Sequence, residues 1–339
     1  MPNENLISQQ TLNRASFLAF FSILTGLFVF GLGTPFITIL FGYLILHYIG
    51  TRMPKRLAVF TFSILALILF YLFVHFVQEA IRALPLAASK AIPTIVSLAT
   101  SYGIEAPFQD PEGLKSFVRD GLESQLHFLA RFAQVFTKEF VYVIIALVAT
   151  TGIFMTRRID LARETYAIRH NFYSDFTEKL ELRFGNFFRS FHTVMGAQVV
   201  ISLVNTFFTG LFIVSLSLFD SPMPYPFVLI TVTFLCGLLP IIGNLISNTV
   251  IFCVGLTQSI QLGIIALSYL IILHKFEYFL NSRIIGGRIK NPMWLTLLSL
   301  LIGERLAGIP GMILAPVILN YCKLEGSSVP VKPPLERVS

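Results

Sequence analysis

Hydrophobic residues run along this chain in long blocks separated by short clusters of charge. The first block, residues 16–50, is interrupted by GLGTP at 31–35. Each arm is about 15 residues, short of the ~20 that a simple helical crossing needs, so the block reads as a tight hairpin of two short or tilted helices. Arg52, Lys55 and Arg56 follow, and residues 57–78 then make a single span. Residues 79–139 change character. They mix charge at helical spacing with Pro85, Pro93, Pro107 and a QDPEG turn at 109–113, and predict amphipathic helices outside the bilayer core. Residues 140–156 make the next span. Residues 157–192 carry seven Lys/Arg and five Asp/Glu, with Phe176, Leu180, Phe184, Phe187 and Phe188 at helical spacing. They predict an amphipathic connector at the membrane surface.

The remaining blocks include two that are broken where they are most apolar. Residues 193–219 span, and DSPMPYP at 220–226 turns the chain. Residues 227–256 contain CGLLPIIGNLISNTV, in which Pro240 stops a helix and Gly243 relaxes the backbone beside it. Residues 259–281 span, RIIGGRIKNP at 283–292 is a basic turn, and 293–322 is a last apolar run broken by GERLAGIPG at 303–311. Unpaired backbone groups cannot face lipid, so a break at this depth must be buried in protein or line a wet cavity. Two hairpins with broken tips are the architecture of secondary-transporter binding sites; a proline-kinked crossing helix is the structural alternative. The pattern predicts an all-α polytopic membrane protein with about eight hydrophobic helical segments, some broken and hairpin-like, plus amphipathic surface helices. Its expected divisions are a hairpin and third span (1–78), an extracytoplasmic insert (79–139), a fourth span with cytoplasmic connector (140–192), a transport core (193–322) and a flexible polar tail (323–339).

Composition supports the membrane reading. Of 339 residues, 55% are hydrophobic and only 13% charged, where a soluble domain carries about 25% charged. The net charge of +7 does not imply nucleic acid, because the basic residues lie in short clusters between apolar runs. Cys236, Cys253 and Cys322 lie inside apolar segments without metal spacing and read as buried thiols. The opening MPNENLISQQTLNRA shows no cleavable-signal pattern, and the run after it is expected to be retained. Placing the clusters at Arg14, Arg52–Arg56, 157–192 and Arg283–Lys290 inside makes 227–256 a hairpin dipping from the outer face and 293–322 one from the inner face. Both termini are then expected to be cytoplasmic.

At these residues the chain resembles a known family. LLPIIGNLI at 238–246 and FEYFLNSRIIGGRIKNPMWLTLLSLLIGERLAGIPGMILAPVI at 276–318 are similar to the autoinducer-2 exporter family of membrane transporters. Pro240 and Gly243 match its Pro-x-x-Gly, Glu277 an acidic position in the penultimate span, and Pro292, Gly303, Gly308 and Gly311 its final hairpin. Three positions depart: Ser282 where Pro is common, Asn291-Pro292 where His-Pro is common, and Glu304 where a second Gly is common. The resemblance implies export of a small polar solute and a homo-oligomer. It leaves the substrate open, since sodium–proton antiporter-like members are also known.

The candidate chemistry lies at the breaks. Glu304 and Arg305 are ionisable groups in an apolar run, each costing at least about 2.5–3.5 kcal/mol at membrane depth unless it faces protein or water. Glu304 is a candidate proton or cation carrier with Arg305 as counter-charge or substrate anchor; a structural ion pair is the alternative. Glu277, near His274 and Lys275, is a lesser candidate against simple snorkelling. His75 and Glu79 read as interfacial. Asn244 and Asn248 beside the first break are candidate ligand oxygens, whereas Gln198, Asn205 and Thr206 read as interhelical hydrogen bonders. The expected ligand site joins Pro240–Asn248 to Gly303–Gly311, with Asn291 as a further polar group. No zinc, phosphate-loop or paired-cysteine motif is present, so no enzyme and no cofactor is expected, apart from a coupling proton or sodium ion. The expected partners are lipid and a small solute or monovalent cation.

Overall fold

The computed structural model describes residues 8–101, 139–156, 158–168, 170–240, 242–284 and 291–329. Among these, all regular structure is helical. The helices are α1 (Gln9–Val29), α2 (Gly33–Gly50), α3 (Lys55–Ser101), α4 (Glu139–Met155), α5 (Phe172–Leu218), α6 (Pro226–Gly237), α7 (Ile242–Leu256), α8 (Ile260–Ile284) and α9 (Met293–Ser327). Five carry segments long and apolar enough to cross a membrane: α1, α2, α3 up to Ala80, α5, and α9 from Trp294. The protein is an all-α polytopic membrane protein.

The chain divides into two compact units. The first holds Met1–Lys55, Ile145–Gly196 and Arg288–Ser339; the second holds Arg56–Ile144 and Ala197–Gly287.

In the first unit, Ser8 caps α1 by accepting from the Thr11 amide at 3.1 Å. Gly31, at φ +68°, ends α1 as a left-handed residue, and the Leu32 amide closes back onto the Leu27 carbonyl at 2.7 Å. The arms are longer than their apolar cores suggest, 21 and 18 residues, because α1 begins in the polar segment before Ala15. The first 25 residues of α5 lie in this unit. Their aromatic face is buried: the Phe187 ring lies 5.8 Å from Phe36 and 5.6 Å from Tyr321, and Phe20 lies 4.9 Å from Tyr321 and 5.1 Å from Phe184. Phe20, Phe187 and Tyr321 are fully buried. Ring geometry of this kind adds about 0.5–1.5 kcal/mol per pair beyond the area it buries.

In the second unit α6 and α7 form an antiparallel hairpin, with Leu229 near one end of α6 sharing a core with Ile251 and Val254 near the far end of α7. Phe212 from α5 joins that core and stacks flat on Tyr269 of α8, with centroids 4.0 Å apart and planes 3° from parallel.

Three segments differ from the sequence reading. From Phe172 onward the connector and the following span are one helix: α5 runs 47 residues without a break, about 70 Å at 1.5 Å per residue. The segment contains no proline, so nothing stops it. The connector is therefore not a separate surface helix, and its aromatic face is buried in protein. In the insert, α3 continues through Pro85 and Pro93 to Ser101, each proline removing one donor without ending the run; Pro107 and the 109–113 turn lie outside the described residues. The polar tail expected from Lys323 begins later, since α9 continues to Ser327 and Glu325 is buried.

Candidate functional site: two broken helices

The first break lies in the second unit. α6 ends at Gly237, and a tight turn follows in which the Leu239 amide donates to the Cys236 carbonyl at 2.8 Å. Pro240 sits in that turn, Ile241 lies outside the described residues, and the Gly243 amide donates to the Leu239 carbonyl at 3.2 Å. The Gly243 backbone approaches α6 so closely that a Cβ there would lie 1.6 Å from the Cys236 carbonyl oxygen. Only glycine fits.

A helix end leaves its last carbonyls without helical partners, which in hydrocarbon costs several kcal/mol each. Here α5 supplies the partners. Gln198 Nε2 donates to the Gly237 carbonyl at 2.7 Å, and Ser202 Oγ donates to the Phe234 carbonyl at 2.6 Å. Asn205 Nδ2 reaches Asn244 Oδ1 on α7 at 3.4 Å. All three α5 residues are buried. Gln198 and Asn205 are thus interhelical hydrogen bonders, as read from the sequence. Thr206 is not: its hydroxyl donates to the Ser202 carbonyl one turn back in its own helix, at 2.7 Å. Ser202 was not singled out from the sequence, though Gln198, Ser202 and Asn205 are spaced four and three apart on one helical face.

The second break lies in the first unit. Within α9, Ala307 (φ −148°, ψ 18°) and Gly308 (φ 60°, ψ −140°) leave the helical conformation. The two arms fold back on each other. A Cβ on Gly311 would lie 1.9 Å from the Gly303 carbonyl oxygen, and one on Gly303 would lie 2.4 Å from the Gly311 oxygen and 2.8 Å from the Ala315 methyl. Gly303 and Ala307 on one arm therefore face Gly311 and Ala315 on the other. This is the small-x-x-x-small contact that lets membrane helices touch backbone to backbone. The tip meets the N-terminal hairpin, where a Cβ on Gly33 would lie 2.7 Å from Pro310 Cβ.

The far end of this hairpin is clamped. Arg183 of α5 forms a buried ion pair with Glu325, the two side chains 8% and 6% exposed. The same guanidinium donates to Asn13 Oδ1 of α1 and stacks over the Phe17 ring at 3.6 Å. Asn186 Nδ2 donates to the other Glu325 oxygen at 2.9 Å. Nothing in the sequence pairs residues 142 positions apart.

The sequence-predicted site residues fall in both units. Pro240, Gly243, Asn244 and Asn248 sit at the first break, with Asn248 one turn beyond Asn244. Gly303, Gly308 and Gly311 form the second. Glu304 and Arg305 precede it by three and two residues, and both are exposed with no ion pair to another described residue. Asn291 and Pro292 lie at the base of α9, where Asn291 Oδ1 accepts from Lys323 Nζ at 3.3 Å. His274 and Lys275 are exposed on α8, and the Glu277 side chain lies outside what is described. His75 and Glu79 form an exposed contact at 3.8 Å on α3. Among the described residues no group of three or more His, Cys, Asp or Glu could hold a metal ion.

The sequence model for AI-2E family transporters matches residues 14–324, from the first turns of α1 almost to the end of α9. The chain belongs to the AI-2E transporter family. It is also 27% identical over 148 residues to a Bacillus subtilis (strain 168) protein named "Putative transport protein YdbI". That match covers 43% of this chain and 41% of the relative, so it spans about two fifths of that protein's length. Both broken helices of this AI-2E family transporter lie inside the family match.

Proposed function

We propose that this AI-2E family transporter is a secondary transporter that exports a small polar solute by alternating access, driven by an ion gradient. The solute binds at the α6–α7 break, around Pro240, Gly243, Asn244 and Asn248, and the α9 break carries the coupling ion. One observation carries the reading. Each break is built from glycines too crowded for any other residue, and each lies beside polar groups that an apolar helix has no packing reason to hold. Irregular backbone at membrane depth with such groups is the architecture of a transport site.

The contact of Gly33 with Pro310 supports an N-terminal hairpin and an α9 hairpin that enter from the same face. With the clusters at Arg52–Arg56 and 157–192 on the inside, both termini are cytoplasmic, and the protein sits as a homo-oligomer in the lipid of a bacterial inner membrane.

A second reading is favoured by Glu304. This carboxylate stands exposed beside the α9 break without an ion pair among the described residues, the placement expected of a proton or sodium carrier. On that reading the protein is a sodium (or lithium)/proton antiporter. Proton flux into liposomes containing the purified protein and an internal pH dye separates the two. Sodium, lithium, potassium and a sugar diol are added in turn to wild type and Glu304→Gln. Cation-triggered proton movement lost in the mutant establishes antiport. Solute-coupled flux without a cation response supports the exporter, and organic solute crossing equally in both proteins removes Glu304 from the coupling role. No flux with any addition would overturn transport in favour of a membrane scaffold.

A further inference from the structure

The polar face of α5 does not stop where its service to the α6–α7 turn stops. Gln198 and Ser202 satisfy α6 carbonyls. Asn205 uses its amide nitrogen on Asn244, but its Oδ1 is buried without a hydrogen-bond partner among the described residues. One turn further, Thr209 is fully buried and its hydroxyl is also unpartnered among the described residues. Less than a turn beyond, Phe212 holds the Tyr269 ring, whose buried hydroxyl is unpartnered as well. All these residues belong to the second unit.

An orphaned hydroxyl on a helix is unusual because a partner is always at hand. A serine or threonine can donate to the carbonyl three or four residues back. Thr38, Ser63, Thr150, Thr177, Thr206, Thr233, Thr249 and Ser268 all do so in this protein. Thr209 does not. Buried polar groups are paired in native proteins, and an exception calls for an explanation. Opposite lies α7: α6 runs antiparallel to α5, with Phe234 at Ser202 and Gly237 at Gln198, and α7 reverses it, so α7 leaves the turn in the direction of α5 with Asn244 at Asn205. Asn248 is one turn beyond Asn244, as Thr209 is one turn beyond Asn205.

The charge inventory decides what such a site accepts. From Ala197 to Leu256 the chain has a single acidic or basic side chain, Asp220, in the left-handed turn before α6. From α5, α6 and α7 a desolvated cation at Asn205 and Thr209 would be offered neutral oxygens, and a neutral ligand set offsets the desolvation of a charge poorly. Amide and hydroxyl groups that both donate and accept suit an uncharged solute with several hydroxyl or carbonyl groups.

We propose that Asn205 and Thr209 of α5, with Asn244 and Asn248 of α7, form a binding site for a small uncharged polyhydroxylated solute, with the Tyr269 hydroxyl as a further contact. This rests on the reading of the α6–α7 break as the solute site. It places the recognition chemistry on α5 beside the break as well as on the break itself.

The test compares wild type, Thr209→Val, Asn205→Leu and the control Thr206→Val in proteoliposomes and in detergent. Radiolabelled erythritol, radiolabelled ribose and 22Na+ serve as probes. The expected result is a split. Thr209→Val keeps or raises the thermal midpoint, because it removes an unpaired buried hydroxyl, yet raises the KM for a sugar or polyol at least tenfold. Thr206→Val changes neither. A lowered midpoint with unchanged KM would make Thr209 structural and overturn the proposal, and so would saturable 22Na+ binding lost in Thr209→Val. If wild type moves a polyol and both α5 variants retain its KM, transport stands and this site falls. If wild type moves none of the probes, the transport reading itself falls, and the site with it. Should Asn205→Leu fail to fold, Thr209→Val decides alone, since valine matches threonine in shape.

Discussion

The two broken hairpins solve one problem by different means. At the α6–α7 turn the freed carbonyls are satisfied by side chains from a neighbouring helix, Gln198 and Ser202. In α9 the arms touch through Gly303 and Gly311, and the far end is fixed by the Arg183–Glu325 pair. The first arrangement adds to the close Gly243–Cys236 backbone contact individual hydrogen bonds that exchange at small cost, since interhelical bonds in membranes average about 0.6 kcal/mol. The second depends on backbone contact and a buried charge pair, where partial loosening is expensive.

The largest effect tests the backbone contact. Gly311→Val places a Cβ 1.9 Å from the Gly303 carbonyl, and the obstacle is backbone, which cannot swing aside. The variant is expected to lose more than about 4 kcal/mol and to yield little monodisperse protein in detergent. Gly243→Val at the other turn faces a Cys236 carbonyl at 1.6 Å. It should also fail, which would show that both breaks need glycine even though they are held differently. A stable Gly311→Val would mean that the arms of α9 are not in contact.

The next effect tests the clamp. Arg183→Ala leaves Glu325 buried and unpaired, and removal of one partner from a buried pair costs about 3–5 kcal/mol. The exchange Arg183→Glu with Glu325→Arg should restore part of that, with Asn13 and Asn186 limiting the recovery because they are placed for the native arrangement. Thermal unfolding of the single and double variants measures the coupling. An additive pair of losses would remove the ion pair from the account of α9.

How much of this was visible in the sequence follows from the range of each interaction. Both breaks were legible because proline and glycine act on their own backbone: Pro240 and Gly243 mark one, Gly303, Gly308 and Gly311 the other. The α5 ladder was half legible. Gln198 and Asn205 stand out in an apolar run, but Ser202 looks like any helical serine until Phe234 is brought to it. The clamp was illegible. Glu325 stood in a stretch that reads as polar tail, and its partner lies 142 residues away in a segment that reads as a surface connector. Continuity of α5 was hidden for a related reason: a change from mixed charge to pure apolar sequence looks like a boundary, yet only a proline or a cap would stop the helix.

The smallest effect sharpens the comparison most. Gln198→Leu removes the donor to the Gly237 carbonyl while keeping similar volume. A buried acceptor left without its partner costs about 1–3 kcal/mol. Membrane hydrogen bonds measured by substitution rarely exceed about 1.7 kcal/mol, because the chain finds other partners. The expected loss is therefore about 1 kcal/mol, well below the clamp, and Thr206→Val, whose hydroxyl bonds only its own helix, should change stability by less than about 0.5 kcal/mol. The informative readout is local. Hydrogen exchange should speed up in the Leu239 and Gly243 amides, which close the turn, and remain unchanged in α9. Faster exchange in both hairpins would show that they open as one. Faster exchange at α6–α7 alone would make that turn the independently mobile element.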